Sequence, residues 1–245
     1  MIIVLNEEKN ITDCLKSVSF SDEVIVVDSG SIDRTASLAQ GMGAKVFKKD
    51  FQDFASQKNF GIDHAGSDWL LLIDADERVT PALGEEIRQA IADPKAAEAY
   101  FFMRRNNIFG RWMRFGINRS DWQLRLIRRN SGRFEGLFHE RISFSGKAMK
   151  LKNHLLHFSS RTISDYMNKL INYYLKTKAW QGSDEKIPTS KLLVRPFLVF
   201  CNVFFIKLGL LDGLEGFLFS VLSAYYDFVR LARYTESNLK NGVIA

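Results

Sequence analysis

Twice in the first eighty residues an apolar run stops abruptly at carboxylates: Glu23-Val-Ile-Val-Val-Asp-Ser-Gly-Ser-Ile-Asp-Arg-Thr35, then Trp69-Leu-Leu-Leu-Ile-Asp-Ala-Asp-Glu77. A short apolar, β-branched run bounded by turn residues is the pattern of a buried strand. Acids at its end belong at the rim of a sheet, where ligands bind in open α/β folds. Around these runs the chain alternates strand and helix. Ile2 to Leu5 reads as a strand, Asn6 as the cap of a helix to about Val18, and Val24 to Val27 as the next strand. Asp33 or Ser31 starts a helix through Gln40 that Gly41 and Gly43 end, and Ala44 to Phe47 is a third strand. Phe54 to Ala65 is helical, Trp69 to Ile73 is a fourth strand, and Pro81 opens a further helix. This order predicts an α/β fold with a mostly parallel central sheet flanked by helices. Because Met1 stands almost inside the first strand, the sequence is expected to lack a few upstream residues or to carry a late start.

With 245 residues and 46% hydrophobic content the chain can bury a large core, and its length fits one α/β domain with an appendage. Cys14 and Cys201 lie far apart without CxxC spacing, which points to neither a disulfide framework nor a zinc site and implies a reducing compartment. The first residues lack the basic, apolar and small-residue succession of a signal peptide. The net charge of +6 conceals an asymmetry. Residues 104–152 carry ten Arg and three Lys against Asp121, Glu135 and Glu140, a local balance of +10, and the remainder is −4. Such a block reads either as a surface for phosphate-bearing partners or as a solvated basic face. Trp112, Phe115 and Trp122 interleave with it, but no helix-turn-helix, zinc-finger or RNA-binding signature accompanies them, so no nucleic-acid partner is expected. A dehydrogenase is excluded because no GxGxxG follows the first strand.

From about Glu98 the rhythm changes to shorter Arg- and aromatic-rich pieces, the look of an antiparallel portion covering a bound ligand. Residues 1–160 are expected to form one domain, in halves 1–97 and 98–160, and residues 161–245 a helical extension. Thr162 to Gln181 reads as an amphipathic helix opened by a Thr162-x-x-Asp165 capping box. Leu192 to Leu211 is apolar but carries Arg195, Pro196, Asn202 and Lys207, and Leu214 to Val229 carries Glu215 and Asp227. A spanning helix needs ~20 apolar residues with few charges. Two helices on a bilayer surface fit better, a packed hairpin or a dimer contact being the alternative.

Asp74 and Asp76 alternate across Ala75, so in extended backbone both carboxylates would face one side and could share a divalent cation. That arrangement suits a metal-chelated nucleotide diphosphate. Asn6-Glu7-Glu8 after a first strand, Val-Val-Asp-Ser-Gly-Ser-x-Asp-x-Thr at 26–35 and Asp74-Ala-Asp76-Glu77 together resemble the inverting glycosyltransferases of family 2, which have the GT-A fold. Trp122-Gln-Leu-Arg125-Leu, Phe138-His-Glu140 and Gly209-Leu-Leu-Asp-Gly-Leu-Glu-Gly216 look like a branch that includes the lipopolysaccharide-core β-glucosyltransferases.

The resemblance implies roles for named residues. Asn6 and Glu7 beside the first strand, with Asp28, Ser29 and Asp33, would hold the base and ribose of a nucleotide sugar; Asp33 reads equally as a helix cap. Many relatives carry a second Asp where Ser29 stands. Lys58 and Asn59 are further donor-site candidates. Asp76 with Asp74 would hold Mg²⁺ or Mn²⁺ against the two phosphates, a Lewis acid for the leaving nucleoside diphosphate. His157 is a third ligand or a satisfied core residue. Arg125 would clamp a diphosphate bidentately, with Gln123 alternating beside it toward the cleft. Inversion needs a base opposite the leaving group. Glu140, after Phe138 and His139 in a segment poor in acids, is the candidate, its alternative a salt bridge to Arg141 or Arg125. The expected activity is transfer of a hexose, glucose from a UDP donor, onto a lipid-linked saccharide such as lipopolysaccharide inner core, at the cytoplasmic face of the inner membrane. The alternatives are a transferase acting on a polyprenyl phosphate or another cell-surface glycan, and an inactive sugar-nucleotide-binding scaffold. Oligomerisation through the C-terminal helices is a further expectation.

Overall fold

The computed structural model describes residues 1–136, 141–176 and 188–240. Elements follow in the order β1 Ile2–Val4, α1 Ile11–Ser17, β2 Ile25–Asp28, α2 Thr35–Gly41, β3 Lys45–Lys48, α3 Phe54–Asp63, β4 Trp69–Leu71, β5 Ile73–Asp74, β6 Glu77–Val79 and α4 Pro81–Ala92. Then come β7 Ala99–Ile108, β8 Arg111–Trp112, β9 Trp122–Arg128, β10 Gly132–Glu135, β11 Arg141–Phe144, β12 Ala148–Ser160, α5 Ile163–Lys176, α6 Thr189–Cys201 and α7 Gly213–Lys240. The chain divides into two compact units. One comprises Met1–Arg105 and Asp121–Phe158, the other Asn106–Ser120 and the described residues from Ser159 onward. Residues 106–120, assigned from sequence to the 98–160 half, group instead with the C-terminal helices.

In the first unit a four-stranded parallel sheet runs β3-β2-β1-β5. Its strands are apolar on both faces because helices cover both. Ile2, Val26 and Ile73, level with one another, enter one core with Ile11, Leu15 and Leu83, whereas Val27 and Ile3 face the other with Ile62 and Leu72. α4 opens as the sequence indicates, with Pro81 in its first turn and the Thr80 hydroxyl accepting from Leu83 N–H at 3.1 Å.

Trp69 to Ile73 is not one strand. Leu72 donates its N–H to the Arg125 carbonyl, and the run splits there. β4 pairs antiparallel with β9, and β5 pairs parallel with β1. The segment thus passes from a second, mainly antiparallel sheet of order β4-β9-β7-β12-β6, with β8 on β7, into the parallel sheet. A run apolar on both faces serves both sheets, which is why period alone did not reveal the break.

In the second unit the Thr162 capping box is present in both directions: Asp165 N–H donates to the Thr162 hydroxyl at 3.0 Å and Thr162 N–H to the Asp165 carboxylate at 3.1 Å. The end of the expected helix, residues 177–181, lies outside the described residues. α6 continues into a π turn, Asn202–Ile206, and a 3₁₀ turn, Gly209–Asp212, before α7. Leu208 and Gly213 take positive φ of 62° and 70°. Asp212 is buried and accepts from Arg114 and Phe115 N–H at 3.1 and 2.9 Å. A Cβ on Gly216 would lie 2.0 Å from the Gly209 carbonyl oxygen, so only glycine fits. The Gly209–Gly216 motif is thus the chemistry of a tight elbow. An ion pair from Asp227 to Arg195 at 3.1 Å joins α7 to α6, and Asp227 also pairs with Arg230 one turn on in α7 at 2.7 Å.

Candidate active site

The two acidic signatures end on strands flanking β1, Asp28 level with Val4 and Asp74 level with Ile3, at the C-terminal rim of the parallel sheet. Asp28, the last residue of β2, is 0% exposed. Its Oδ1 accepts from Ser31 N–H at 3.0 Å and from the Ser31 hydroxyl at 2.6 Å, while Oδ2 has no hydrogen-bond partner among the described residues. A buried carboxylate oxygen without a donor is costly, of the order of 1–3 kcal/mol or more.

Ser31 ties this loop to the one after β1. Its hydroxyl accepts from Asn6 N–H at 2.9 Å, and the Asn6 side-chain oxygen accepts from Ile32 N–H at 2.9 Å. Asn6 does this from a left-handed conformation, φ 56°, which Asn tolerates better than most residues. It therefore does not cap α1, which starts at Ile11. Glu7 N–H donates to the Thr35 hydroxyl at 2.7 Å, and Glu8 N–H to Asp33 at 3.2 Å. Asp33 in turn accepts from Thr35 N–H at 2.9 Å and from the Thr35 hydroxyl. Burial opposes its ionisation, but the bonds from Thr35 and Glu8 hold the carboxyl below the usual range. Ser29 N–H donates to the Val4 carbonyl at 2.9 Å and extends the β1–β2 ladder by one step. Residues 6–8 and 28–35 are in effect one cross-linked loop pair, in which Thr35 and Ser31, the latter read from sequence only as a helix start, tie the two loops together.

At the second signature the extended-backbone expectation fails. Asp74 ends β5, Ala75 and Asp76 form a turn, and Glu77 begins β6. The two aspartates consequently go to different partners. Asp74 lies 2.5 Å from the Arg125 guanidinium, and Asp76 Oδ2 lies 3.6 Å from His157 Nε2. The antiparallel register of β6 and β12, with His157 opposite Glu77, delivers that imidazole to the turn. Phe158 N–H donates to the Asp76 carbonyl at 2.8 Å, and Arg78 donates to the Ala75 carbonyl at 2.7 Å and to that of Asn10 at 2.8 Å. The turn is held from three sides.

Arg125 is not exposed as a phosphate clamp would be. It is buried, 2.6 Å from Glu77 as well as bonded to Asp74. Glu77 is 0% exposed, accepts from Asp74 N–H at 3.1 Å and pairs with Arg104 at 3.4 Å. Arg104 is fixed by Asp121 at 2.9 and 3.2 Å, and Gln123 donates to the same Asp121 at 2.7 Å. Burial pushes the Glu77 carboxyl up against the opposing pull of Arg125. Burial also works against ionised Asp74, but Arg125 and then Lys58 hold its carboxyl below the ordinary range. Lys58 itself is buried on α3, 4.9 Å from the Phe134 ring centroid, and Asn59 makes two 2.9 Å bonds to the Phe134 backbone. Glu77, Arg104 and Asp121 were given no role by the motif reading. Part of the basic block is engaged within the molecule: besides Arg104 and Arg125, Arg128 stacks on Trp69, and the half-exposed Arg133 and Arg111 pair with Asp63 and Glu215.

The depressed carboxyls make a testable statement. A group whose folded pKa lies below its unfolded value stabilises above the unfolded pKa of about 4, and that contribution fades as pH falls through the folded value. Stability measured by urea unfolding is expected to drop below about pH 4, and Asp33→Asn is expected to flatten that acid limb. An unchanged slope in the variant would contradict the loop assignment.

Among the described residues no three acids, histidines or cysteines gather into an all-protein metal cage. Asp76 and His157 bring one carboxylate oxygen and one imidazole nitrogen together. That donor set fits a Mn²⁺ or Mg²⁺ ion whose remaining positions are filled by phosphate oxygens and water. Glu140, the candidate base, lies outside the described residues.

The model of the family "Glycosyl transferase family 2" matches residues 1–164. The lipopolysaccharide core biosynthesis glycosyltransferase LpsC of Rhizobium meliloti is 31% identical over 250 residues, covering 98% of this chain and 92% of LpsC. Uncharacterized glycosyltransferase RC0292 of Rickettsia conorii is 30% identical over 259 residues, covering 98% and 90%. The crystal structure of S. aureus TarS 1-349 is similar over 98% of this chain and 90% of that one, at 14% identity and a TM-score of 0.48. The family model over residues 1–164 and the likeness to LpsC over nearly the whole of both chains show it: the chain belongs to glycosyl transferase family 2 and has the GT-A fold.

Proposed function

We propose that this glycosyltransferase moves a hexose, glucose from UDP-glucose, with inversion onto a lipid-linked saccharide such as the lipopolysaccharide inner core. The observation that carries the donor reading is the Asp28 carboxylate: buried, anchored through one oxygen by Ser31, and lacking a partner on the other among the described residues. A uracil imide N–H or a ribose hydroxyl supplies the missing donor. Asn6 and Asp33 keep the surrounding loops in place, so little ordering is left to be done when the nucleotide binds. Asp76 and His157 hold the divalent cation. When bound, it neutralises charge on the leaving nucleoside diphosphate. Glu140 is the general base for the acceptor hydroxyl, on the strength of its place after Phe138 and His139 in a segment poor in acids. The name of LpsC, similar over 98% of the chain, supports a lipopolysaccharide-core acceptor. Such an acceptor is met at the cytoplasmic face of the inner membrane.

The test has two arms. Purified protein is offered a panel of nucleotide sugars with Mn²⁺, with Mg²⁺ and with chelator, and UDP-glucose is expected to be hydrolysed fastest and only with metal. Glu140→Gln is expected to keep donor affinity and to lose roughly 10²–10⁴-fold in transfer. Equal turnover of every donor, or normal transfer by the variant, would refute the corresponding part. Mass spectrometry of lipid-linked glycans from cells with and without the protein then identifies the acceptor.

A further inference from the structure

We propose that the elbow joining α6 to α7, residues 202–217, is a lipid-docking wedge that enters the outer hydrocarbon of an anionic bilayer leaflet without crossing it. This deepens the lipid-linked reading by naming a surface that meets the lipid, and its test does not depend on catalysis. The helical stretches Ser190–Ile206 and Gly209–Arg233 meet at 69°, and among the described residues no single helix is long and apolar enough to span a membrane. Together they have the length and composition of a broken or re-entrant span. The outward side of the bend is apolar where an aqueous turn would be polar. Phe205, Ile206, Leu211, Leu214 and Phe217 are all exposed, Ile206 by 76% and Leu214 by 67%. Exposed apolar side chains crowded in this way mark a protein or membrane contact.

Two observations choose lipid. First, the polar groups of the bend are satisfied from within, as hydrocarbon demands. Asp212 takes the Arg114 and Phe115 N–H groups, Lys207 N–H donates to Asn202 at 2.8 Å, and the Ser220 hydroxyl donates to the Gly216 carbonyl at 2.7 Å. Second, the acids near the bend are covered or paired while lysines remain. Residues 189–211 carry Lys191, Lys207 and Arg195, the last paired with Asp227 at 3.1 Å, and no acid; Asp212 is buried, and Glu215 is paired with Arg111 at 2.8 Å. Cations beside an apolar wedge match an anionic headgroup layer. A protein partner, whose interface is typically little more apolar than the surface as a whole, would be expected to meet more polar groups here.

The full chain is floated with large unilamellar vesicles of phosphatidylglycerol and phosphatidylcholine, and with phosphatidylcholine alone. Wild type is expected to float with the anionic vesicles, several-fold less with the zwitterionic ones, and Ile206→Asp/Leu214→Asp is expected to reduce flotation by roughly tenfold or more. Both positions are exposed, so an unchanged melting curve and unchanged UDP-glucose hydrolysis serve as controls. Flotation of the double variant equal to wild type, failure of wild type to float, or a wild-type dimer in sedimentation that the same substitutions dissolve without any vesicle binding would each overturn the proposal. Loss of donor hydrolysis with flotation intact would count against the catalytic reading and leave the wedge standing.

Discussion

Arg125→Met is expected to lower the unfolding free energy by about 3–5 kcal/mol, read from urea denaturation, with a fall in melting temperature of roughly 6–20 °C. The size follows from what the substitution leaves behind. Glu77 has no exposed surface and Asp74 is two-thirds covered, so both would remain as carboxylates without their shared guanidinium. Arg104, 3.4 Å from Glu77 and already bonded to Asp121, makes up only part of the loss. Breaking one member of a buried ion network costs more than the network contributes, because the desolvation of the survivors is no longer offset. Arg125→Met with Glu77→Gln is therefore expected to be less destabilised than the sum of the single variants, a coupling of about 0.5–3 kcal/mol in a double-mutant cycle. A phosphate-clamping Arg125 would behave differently: its loss would weaken UDP binding in calorimetry and leave the urea midpoint nearly unchanged. An Arg125→Met protein within about 1 kcal/mol of wild type would restore the clamp reading, since ordinary surface substitutions stay within about that range.

Much of the scaffold was legible because it depends on local rules. Apolar runs ending in acids mark strands that end at a sheet rim, and β2 and β5 are such strands, with Asp28 and Asp74 at their ends. Pro81 and Thr162 announced helix starts through capping chemistry that is complete within four residues. The failures share a cause of the opposite kind. Whether Asp74 and Asp76 face one cation is decided by Arg125, by Glu77 and by His157 on β12, and periodicity within Asp-Ala-Asp-Glu contains none of these. The charge count over 104–152 was correct as arithmetic, yet it could not show that Arg104, Arg125 and Arg133 spend their charge on Glu77, Asp74, Asp121 and Asp63. Asn6 looked like a helix cap because Asn is common there, whereas its partner is the next loop, at Ser31 and Ile32. The break after α6 is fixed by Asp212 reaching Arg114 and by Gly216 against Gly209, contacts that no window of the sequence displays.

Asp76→Asn is expected to reduce metal-dependent transfer by roughly 10³-fold while leaving the unfolding free energy within about 1 kcal/mol of wild type. The argument rests on how the turn is supported. Arg78 holds it through the Ala75 carbonyl and Phe158 through the Asp76 carbonyl, both of them main-chain contacts that a side-chain substitution spares. The carboxylate itself points to His157 Nε2 at 3.6 Å, the one place among the described residues of the turn where an imidazole and a carboxylate converge. A Lewis acid supplies several kcal/mol of charge stabilisation, and about 4 kcal/mol corresponds to a thousandfold in rate. Asp74→Asn should show the reverse emphasis: its carboxylate balances buried Arg125, so the urea midpoint falls first. His157→Ala is expected to weaken Mn²⁺ dependence more than Mg²⁺ dependence, because imidazole favours the softer ion. On the proposed reading the two aspartates of one motif are expected to separate into a ligand and a brace, distinguishable by transfer assayed against added Mn²⁺ alongside urea unfolding. Equal loss of stability in both variants, or full transfer by Asp76→Asn, would dissolve that division.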